Sequence, residues 1–418
     1  MNIVWDVTNT CNLRCKHCGA ASEMEFSCTP DDAQFEYTLT NIANISDSVT
    51  LLGGEPLLHK KIRRILSELS KQNVRISIIT NGQFDPSIID DILRYNVVNI
   101  TVSIEGTQEI NDQIRGIGTW DKSWRFLEHL IKHKTTNQKL EVAVNTVINK
   151  INKADIVEWL AFLSSYDLSY IQLTPLTLSG RAVENEVALS LNTVEFLDVC
   201  EDISRYISKS GAGNIQMDIG NAAAIAYLNI KYGLNLPNEK YECRALSRDA
   251  YCDYSGVLHP CRSVTQPSVQ LFEEVSWEKE FANFASFFSK FYTNGAVCDS
   301  LCFASMECGR CPLEPVSASE LCREVFVRAR QLFTEKTLVK MNTPVCLFEH
   351  DGKYRAIFDA SQNGEVEYTE EGYRILKNIE RTWGAVKNIA EAVGFDETVV
   401  EFFLLQEISK GRVLIRNE

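Results

Sequence analysis

The stretch Cys11-Asn12-Leu13-Arg14-Cys15-Lys16-His17-Cys18, close to the start of the chain, decides how the rest of the sequence is interpreted. Its three cysteines follow the spacing C-x3-C-x2-C. Cubane iron–sulfur clusters are ordinarily held by four cysteine thiolates. Three thiolates therefore leave one iron open, and an open iron can bind a cofactor. The alternative is a zinc site, for which His17 is the one candidate fourth ligand within the stretch.

Composition indicates a soluble globular protein with more than one domain. The chain has 418 residues, of which 45% are hydrophobic and 23% charged. Its net charge of −14 argues against nucleic acid or an anionic membrane as a partner, whereas a basic peptide is compatible with it. No run approaches the length of a membrane-spanning helix and the first residues lack signal-peptide features, so we expect a cytoplasmic protein. In that reducing compartment, the 14 cysteines indicate metal ligands rather than disulfides.

Residues 1–182 alternate short β-branched runs with amphipathic segments. This alternation predicts parallel strands joined by right-handed helical crossovers, and six such units make an open, partial (β/α)6 barrel of the TIM type. Chemistry in these barrels takes place at the carboxyl ends of the strands. The predicted strands are 3–7, 49–52, 75–79, 99–104, 140–147 and 170–173, and the predicted helices are 62–71, 86–95, 123–134 and 151–166.

Distinctive motifs follow the first four predicted strands. The cysteine stretch follows the first, and Gly53-Gly54-Glu55-Pro56 follows the second. Thr80-Asn81-Gly82 follows the third, and the fourth ends in Ser103-Ile104 and continues into Glu105-Gly106, with Arg115-Gly116 further on. Glycines let the backbone approach a ligand closely, and an arginine can pair with a carboxylate as a planar fork.

This ordered set of motifs resembles the radical S-adenosylmethionine (SAM) enzymes. The resemblance implies that SAM chelates the open iron through its methionine amino and carboxylate groups. One electron then cleaves it to a 5′-deoxyadenosyl radical, which abstracts hydrogen from the substrate. The resemblance implies no catalytic residue beyond the cluster. Its metal ligands would be Cys11, Cys15 and Cys18, and its cofactor-binding residues His17, Gly53, Gly54, Glu55, Ser103, Arg115 and Asn145.

The resemblance also implies a role for each cofactor residue. Gly53, Gly54 and Glu55 would contact the methionine amino group, and Ser103 the ribose or the carboxylate. Arg115 would pair with the carboxylate, and His17 would border the adenine. Asn145 would add a polar contact, or else it only caps a strand end. The segment 179–182 follows the sixth strand, where this family commonly closes the adenine pocket.

A second cysteine array follows a predicted helical bridge, residues 183–240. Residues 241–325 resemble the SPASM extension of radical SAM proteins. The later cysteines of this region follow the spacing C-x3-C-x5-C-x2-C, whereas the family spacing is closer to C-x2-C-x5-C-x3-C. The extension implies two auxiliary 4Fe-4S clusters, three clusters in all. Cys252 is either the fourth ligand of the first auxiliary cluster or a buried strand cysteine, and a double zinc site is the alternative for the array. The implied ligands are Cys243, Cys252, Cys261, Cys298, Cys302, Cys308, Cys311 and Cys322.

The last predicted domain, residues 337–418, has the pattern of a small winged-helix unit. Strands are predicted at 341–348, 354–359 and 366–368, and a helix at 369–383 with Thr369 as its N-cap. Further helices at 384–390 and 398–410 precede a wing strand at 411–415. This order resembles the PqqD-like domains that bind leader peptides, which implies addition of a peptide as an edge strand. Dimerisation or capping of the barrel is the alternative.

The sequence therefore predicts a radical SAM oxidoreductase that modifies a ribosomal peptide carrying a leader segment. Hydrogen abstraction from a peptide residue would lead to a thioether or carbon–carbon crosslink, with flavodoxin or ferredoxin as the reducing partner. Epimerisation would need a hydrogen donor such as Cys28 or Cys346. The alternative substrates are a small molecule, a tetrapyrrole precursor or a sulfatase-like protein. A metal-dependent DNA-binding regulator is disfavoured by the acidic composition.

Overall fold

The computed structural model describes most of the first half of the chain and parts of the second. It describes residues 1–22, 24, 31–219, 222–236, 249–262, 268–272, 275, 321, 324–325, 327–329, 331–332, 337–341, 346–350, 353–357, 366–379, 384–409 and 412–417. The following predicted residues lie outside these ranges: Cys28, Cys243, Cys298, Cys302, Cys308, Cys311 and Cys322.

The chain forms two compact units. The first comprises Met1–Asn192, Lys209–Asp218 and Cys243–Ala296, and the second comprises Thr193–Ser208, Ile219–Glu242 and Val297–Glu418. The four predicted domains, 1–182, 183–240, 241–325 and 337–418, stay a prediction.

A ten-stranded sheet organises the first unit. Its order is β10-β9-β8-β1-β2-β3-β4-β5-β6-β7, and the strands from β8 through β7 pair in parallel. This is an α/β fold whose parallel sheet resembles a partial TIM barrel. The strands are β1 Asn2–Thr8, β2 Ser48–Gly53, β3 Arg75–Thr80, β4 Val97–Ser103, β5 Glu141–Ile148, β6 Tyr170–Pro175, β7 Ile215–Met217, β8 Asp249–Cys252, β9 Val257–His259 and β10 Val269–Gln270.

Helices connect the strands in the order that the alternating pattern predicted. A short 3-10 helix, Pro56–Leu58, also follows β2. The helices of the first unit are α1 Asp32–Ile45, α2 Ile62–Lys71, α3 Ile88–Ile92, α4 Gln108–Arg115, α5 Thr119–Thr136, α6 Ile156–Leu163, α7 Arg181–Glu184 and α8 Glu186–Leu189.

The two faces of the sheet differ in polarity. Val49, Ile76, Ile100, Val142 and Ile171 are completely buried on one face. The residues that alternate with them line a cavity instead. Successive side chains of a strand point to opposite faces, so the apolar face supplies the core and the opposite face is free to be polar.

Four strands extend the sheet beyond the six that were predicted, with β7 at one edge and β8, β9 and β10 at the other. β7 lies within the segment expected to be a helical bridge and pairs with β6, while β8 pairs with β1. Strands of three or four residues are too short to show the alternation of apolar and polar side chains by which a strand is predicted.

The second unit contains two long helices and a C-terminal region with two small sheets. The helices are α9 Thr193–Ser210, of which residues 193–208 belong to this unit, and α10 Ala222–Tyr232. The sheets have the orders β15-β11-β16 and β12-β13-β14. The elements are β11 Thr337–Met341, β12 Cys346–His350, β13 Lys353–Ile357, β14 Val366–Tyr368, α11 Glu370–Lys377, β15 Gly384–Ala385, α12 Val386–Val393, α13 Glu397–Ser409 and β16 Val413–Asn417.

The single strand predicted at 341–348 is two strands in different sheets. β11 ends at Met341 and β12 begins at Cys346. The sequence between them contains Pro344, and proline has no backbone N–H to donate to a sheet. The prediction for Thr369 is confirmed, since its hydroxyl caps α11 by accepting from the Gly372 backbone N–H at 3.2 Å.

Candidate functional site

The three N-terminal cysteines lie in the loop that follows β1. Cys15 is buried, whereas Cys11 and Cys18 are partly exposed. Burial, together with the nearby Glu55, Cys15 and Cys18 groups, raises the pKa of the Cys11 thiol to about 11, although the hydrogen bond from the Leu13 backbone opposes the rise. The Cys15 and Cys18 thiols therefore lie close enough to Cys11 to oppose its ionisation. A metal ion removes this opposition, because it binds a thiol as the thiolate.

Nitrogen donors already face two of these sulfurs. The Leu13 backbone N–H donates to Cys11 Sγ at 3.4 Å, and Asn81 Nδ2 lies 3.8 Å from the same sulfur. Arg115 Nη1 lies 3.9 Å from Cys15 Sγ. Hydrogen bonds to the ligand sulfurs are a general feature by which proteins tune iron–sulfur clusters. The loop therefore fits a cluster whose thiolates are hydrogen-bond acceptors.

Single metal ions require a tighter arrangement than this loop provides. Among the described residues, no group of three or more Cys, His, Asp or Glu side chains is placed to hold one metal ion. A mononuclear site gathers its ligands around one ion, whereas a cubane cluster distributes three thiolates over three irons. The finding concerns single ions, and the cluster ligands stay a prediction.

The glycines after β2 pack against the chain that leads into the cysteine loop. The backbone N–H of Gly54 donates to the Thr8 carbonyl at 2.7 Å, and that of Glu55 donates to the Thr10 carbonyl at 2.8 Å. A Cβ on Gly54 would lie only 2.2 Å from the Thr10 carbonyl oxygen. Gly53 has a φ of +123°. These glycines thus position the cysteine loop, and their predicted contact with the methionine amino group stays a prediction.

The Glu55 carboxylate joins the ends of β2 and β3. It accepts from the Leu57 backbone N–H at 3.1 Å, the Thr80 hydroxyl at 2.8 Å and the Asn81 backbone N–H at 2.7 Å. Burial raises the pKa of Glu55 to about 7, and these hydrogen bonds only partly oppose the rise. Since the carboxylate is already occupied by three donors, backbone carbonyls are the freer acceptors for an ammonium group.

Asn81 is a site residue that the sequence reasoning did not assign. Besides its contact with Cys11, its Nδ2 donates to Asn12 Oδ1 at 2.8 Å, so it bridges the third strand end to the cysteine loop. The signal was present in the motif Thr80-Asn81-Gly82, but the sequence alone did not indicate which atom the amide contacts.

Arg115 is held by a carboxylate of its own chain. Its Nε donates to Glu105 Oε1 at 2.9 Å, and its Nη2 also contacts this oxygen. Glu105 has no exposed surface and Arg115 is 8% exposed. Glu105 belongs to the motif Ser103-Ile104-Glu105-Gly106, but the sequence alone did not indicate a role for it. The predicted pairing of Arg115 with the cofactor carboxylate stays a prediction, although one side of the guanidinium is already engaged.

His17 lies beside this ion pair. Its Nε2 is 3.3 Å from Glu105 Oε1 and its side chain is 9% exposed. Burial lowers the pKa of His17 to about 4, although the nearby Glu105 carboxylate opposes this shift. Within the described part of the chain, its Nδ1 is buried and has no hydrogen-bond partner. An unsatisfied nitrogen in the cysteine loop fits a site that takes a further polar group.

Ser103 and Asn145 lie side by side at the carboxyl ends of β4 and β5, where their backbones are in register. Ser103 is buried, and Asn145 Oδ1 accepts from the Thr174 hydroxyl at 3.4 Å. Asn145 also lines the cavity inside the sheet. The structure therefore brings the two residues together, and their contact with the cofactor stays a prediction.

The segment after β6 closes against the cysteine loop. The Arg181 backbone N–H donates to the Cys18 carbonyl at 3.0 Å, and its Nε donates to the Cys15 carbonyl at 3.1 Å. Gly180 has a φ of +54°, and a Cβ there would lie 2.6 Å from the Gly19 carbonyl oxygen. The segment 179–182 thus braces the loop, whereas a role in binding adenine stays a prediction.

Cys252 and Cys261 are the described members of the second cysteine array. Cys252 is paired in register with Trp5 and has no exposed surface. Its thiol donates to the Asp253 carbonyl at 3.5 Å. Cys261 is partly exposed. The position of Cys252 on the apolar face of the sheet agrees with the buried-cysteine alternative.

The opposite face of β1 and β8 carries an ion pair that sequence reasoning missed. Arg262 Nη2 donates to Asp6 Oδ2 at 2.7 Å, and the Tyr251 hydroxyl donates to the same oxygen at 2.7 Å. Arg262 directly follows Cys261 in the chain. The interaction therefore ties the start of the predicted auxiliary-cluster region to the first strand.

A cavity of about 570 Å³ lies on the polar face of the sheet. Arg75 and Glu141 are the charged residues among the described side chains that line it, and Ile79 and Val98 are the aliphatic ones. The remaining lining residues carry amides or hydroxyls, and they are Asn2, Ser48, Thr50, Ser77, Asn99, Thr101, Asn145, Tyr170, Gln172 and Thr174. The cavity therefore has balanced charge and many hydrogen-bonding groups. In a closed TIM barrel, bulky branched side chains fill this space.

Helices of the described residues include none that is long and apolar enough to cross a membrane.

Comparison with known proteins gives one matching family and several kinds of relatives. Residues 5–163 match the radical SAM superfamily. Fe-coproporphyrin III synthase of Methanosarcina barkeri is 26% identical over 236 residues, which cover 55% of this chain and 58% of that protein. The mycofactocin maturase MftC of Mycobacterium tuberculosis is 26% identical over 185 residues, covering 44% of this chain and 46% of MftC. The chain thus spans about half the length of the curated relatives it matches.

Solved structures share the fold at lower sequence identity. SuiB of Streptococcus suis bound to S-adenosylmethionine has a TM-score of 0.56 and 17% identity, covering 76% of this chain and 73% of SuiB. SuiB bound to the precursor peptide SuiA gives 0.56 and 16%, covering 76% and 72%. The cysteine loop, the Gly53-Gly54-Glu55 segment packed on it and strands β1 to β5 lie within or directly beside the matched segment. Residues 5–163 are therefore a radical SAM domain, the domain of an iron–sulfur enzyme family that catalyses radical redox chemistry.

Proposed function

We propose that this protein is a radical SAM peptide-modifying enzyme that matures a ribosomally made peptide. Hydrogen abstraction from a peptide residue would lead to a thioether or carbon–carbon crosslink. The proposal is supported by the cysteine loop and by the relatives, since MftC is a maturase and SuiB has been solved with a precursor peptide.

The chain offers ligands for the cofactors that this chemistry requires. Cys11, Cys15 and Cys18 would hold one 4Fe-4S cluster, and the loops after β2, β4 and β5 would bind S-adenosylmethionine. The reduced cluster would supply the one electron needed to cleave the sulfonium carbon–sulfur bond of S-adenosylmethionine, with methionine leaving, and the resulting adenosyl group would remove a hydrogen atom from the substrate. Flavodoxin or ferredoxin would supply that electron. The role of the protein is to keep the loops in place and to align the substrate.

The polar cavity is the observation that favours a peptide over a tetrapyrrole. Coproporphyrin combines a large apolar ring with several carboxylates, which would call for apolar walls and several cations. Among the described residues, the lining of the cavity instead offers amides and hydroxyls with one arginine and one glutamate. These groups suit the amides and polar side chains of a peptide, because buried polar groups of a ligand need hydrogen-bond partners.

The second cysteine array would hold two auxiliary clusters in a SPASM extension. Such clusters could accept the electron that a substrate radical releases when a crosslink forms, so that no outside oxidant is needed. Cys261 is partly exposed and would be free to bind an auxiliary cluster. Cys252 is completely buried, which suits a structural cysteine.

The C-terminal region would act as a PqqD-like domain that binds the leader segment. The sheet β12-β13-β14 is antiparallel, and β12 and β14 are its outer strands. An outer strand presents unpaired backbone groups along one side, to which an extended peptide can add. The three helices α11, α12 and α13 pack around a shared apolar core beside these strands.

An anaerobic cleavage assay tests the chemistry. After reconstitution, dithionite and S-adenosylmethionine should give 5′-deoxyadenosine, and three cubanes would bring about twelve irons per chain. Replacing Cys11, Cys15 and Cys18 together by Ala should abolish cleavage while the auxiliary irons are retained. The matched control is Cys200→Ala, which removes a buried thiol of α9 and should leave cleavage intact. Cleavage that survives in the triple variant would contradict the assignment.

The substrate class needs its own experiment. Peptides encoded beside the gene should accelerate 5′-deoxyadenosine formation and gain or lose hydrogens by mass spectrometry. The alternative is a tetrapyrrole or another small molecule, which the similarity to Fe-coproporphyrin III synthase supports. Iron coproporphyrin that binds and is converted, with every peptide inert, would replace the peptide proposal by this alternative.

A further inference from the structure

We propose that Glu105 and Arg115 set the reduction potential of the cluster held by the first cysteine loop, with Arg115 acting on the Cys15 sulfur and Glu105 acting as its positioning residue. This inference deepens the proposed function and rests on it, since it requires a cluster on Cys11, Cys15 and Cys18.

The geometry places a cationic N–H donor against a ligand sulfur. Arg115 Nη1 lies 3.9 Å from Cys15 Sγ, within hydrogen-bonding range for a sulfur acceptor. Cys15 is 7% exposed and Arg115 is 8% exposed, so the contact is shielded from water. Charges interact more strongly where solvent does not screen them.

Glu105 fixes the orientation of the guanidinium. Arg115 donates to Glu105 Oε1 through Nε and Nη2, which leaves Nη1 as the group that faces the sulfur. Two N–H groups on one carboxylate oxygen restrict rotation of the planar guanidinium. A lysine could not reproduce this arrangement, because its ammonium has no second, rigidly linked donor.

Glu105 is itself held from three neighbouring segments. Its Oε2 accepts from the Val147 backbone N–H at 2.8 Å, and its own backbone N–H donates to Asn111 Oδ1 at 3.1 Å. Asn152 Nδ2 donates to the Glu105 carbonyl at 3.1 Å. The ends of β4, α4 and β5 therefore converge on a rigid carboxylate. Glu105 can therefore hold the guanidinium of Arg115 in one orientation.

The electrostatic consequence has a definite sign. Reduction adds one negative charge to the cluster, and hydrogen bonds and net charge around the sulfurs set its potential. The cation at Cys15 stabilises the reduced state and raises the potential. Glu105 lies on the far side of the guanidinium from the sulfur contact, and its negative charge moderates this effect, so removing either charge while keeping the hydrogen-bonding shape should shift the potential, in opposite directions.

Redox titration of the reconstituted full chain, followed by electron paramagnetic resonance without S-adenosylmethionine, tests the proposal. At a fixed applied potential, Arg115→Gln should lower the ratio of reduced to oxidised cluster about tenfold, equivalent to about 59 mV for a one-electron couple. Glu105→Gln should raise the ratio, because it removes the negative charge while its amide oxygen can still accept from Arg115 and keep the guanidinium oriented. The control is Arg64→Gln, which removes an exposed arginine paired with Glu36 and Glu68 and should not shift it.

Each outcome separates this inference from the proposed function. If the wild-type chain assembles no cluster on the first loop, both are overturned. If wild type and variants assemble it with equal potentials, the proposed function stands and this inference is wrong. The two single variants are independent, so one that fails to retain iron leaves the other to test the sign. Weaker S-adenosylmethionine binding in Arg115→Gln with an unchanged potential would instead support the pairing of Arg115 with the cofactor carboxylate and overturn this inference.

Discussion

Replacement of Gly54 by Ala tests whether the segment Gly53-Gly54-Glu55 positions the cysteine loop, residues 11–18. The added Cβ would lie 2.2 Å from the Thr10 carbonyl oxygen, 2.6 Å from its carbonyl carbon and 2.9 Å from the carbonyl carbon of Asn9. Favourable carbon contacts begin near 3.5 Å, so these backbone atoms would have to move by roughly 1 Å. Overpacking of this kind typically costs about 1–3 kcal/mol. Because Cys11 follows Thr10 directly, the displacement reaches the first cluster ligand.

We expect Gly54→Ala to lower the thermal stability and to reduce 5′-deoxyadenosine formation more strongly than stability alone explains. Differential scanning calorimetry and the anaerobic cleavage assay measure the two effects on the same preparations. The control is Gly213→Ala, an exposed glycine whose added Cβ would have its nearest neighbour at 4.0 Å. If Gly54→Ala matched this control in both measurements, the close approach of the two loops would have no functional consequence and the reasoning would be wrong.

Two further predictions concern the second unit. Burial alone would raise the pKa of Glu201, but hydrogen bonds from Lys231, Tyr227 and other donors outweigh it and lower the pKa to about 2. The lowered pKa stabilises the folded protein above pH 4.5, and this stabilisation is lost as the pH falls towards 2. Glu201→Gln should therefore lose about 2–3 kcal/mol in urea unfolding at pH 7 and little near pH 2, whereas the exposed neighbour variant Asp202→Asn should change stability by less than about 0.5 kcal/mol. Thr369→Ala, which removes the cap of α11, should cost about 1 kcal/mol and speed hydrogen exchange in its first turn, and unchanged exchange there would rule out the capping role.

The sequence predicted those parts of the first unit that depend on local patterns. All six strands lie within a few residues of their predicted positions, because each alternates apolar and polar side chains and is followed by a helix. The cysteine and glycine motifs follow the strands that they were predicted to follow. Short strands such as β7 escaped prediction because three residues carry no periodicity, and their pairing depends on the sheet edge that they meet.

Partners of buried polar side chains were less predictable than their positions. Arg115 was expected to face the cofactor, yet its nearest partner is Glu105, ten residues earlier in the chain. Nothing in the spacing distinguishes a carboxylate that accepts from an arginine from one that accepts from an ammonium. Asn81 and Arg181 likewise contact the cysteine loop only because the ends of separate strands converge on it. Such contacts arise from the tertiary structure.

The polarity of the cavity follows from how the sheet obtains its stability. Ile76 and Ile78 of β3 are completely buried on the apolar face of the sheet, which is the outer face of the partial barrel. Ser77 between them lies on the polar, inner face and lines the cavity. A sheet that buries one face against helices already has an apolar core, so the other face does not have to contribute one. In a closed barrel that inner face would be packed with branched side chains. An open sheet leaves the inner face free, and its strands can then carry amides and hydroxyls that bind a polar substrate. Replacing Ser77 by Val should therefore leave the fold intact, because Ile79 on the same face of β3 already presents an apolar side chain to the cavity, while weakening the binding of a polar ligand there.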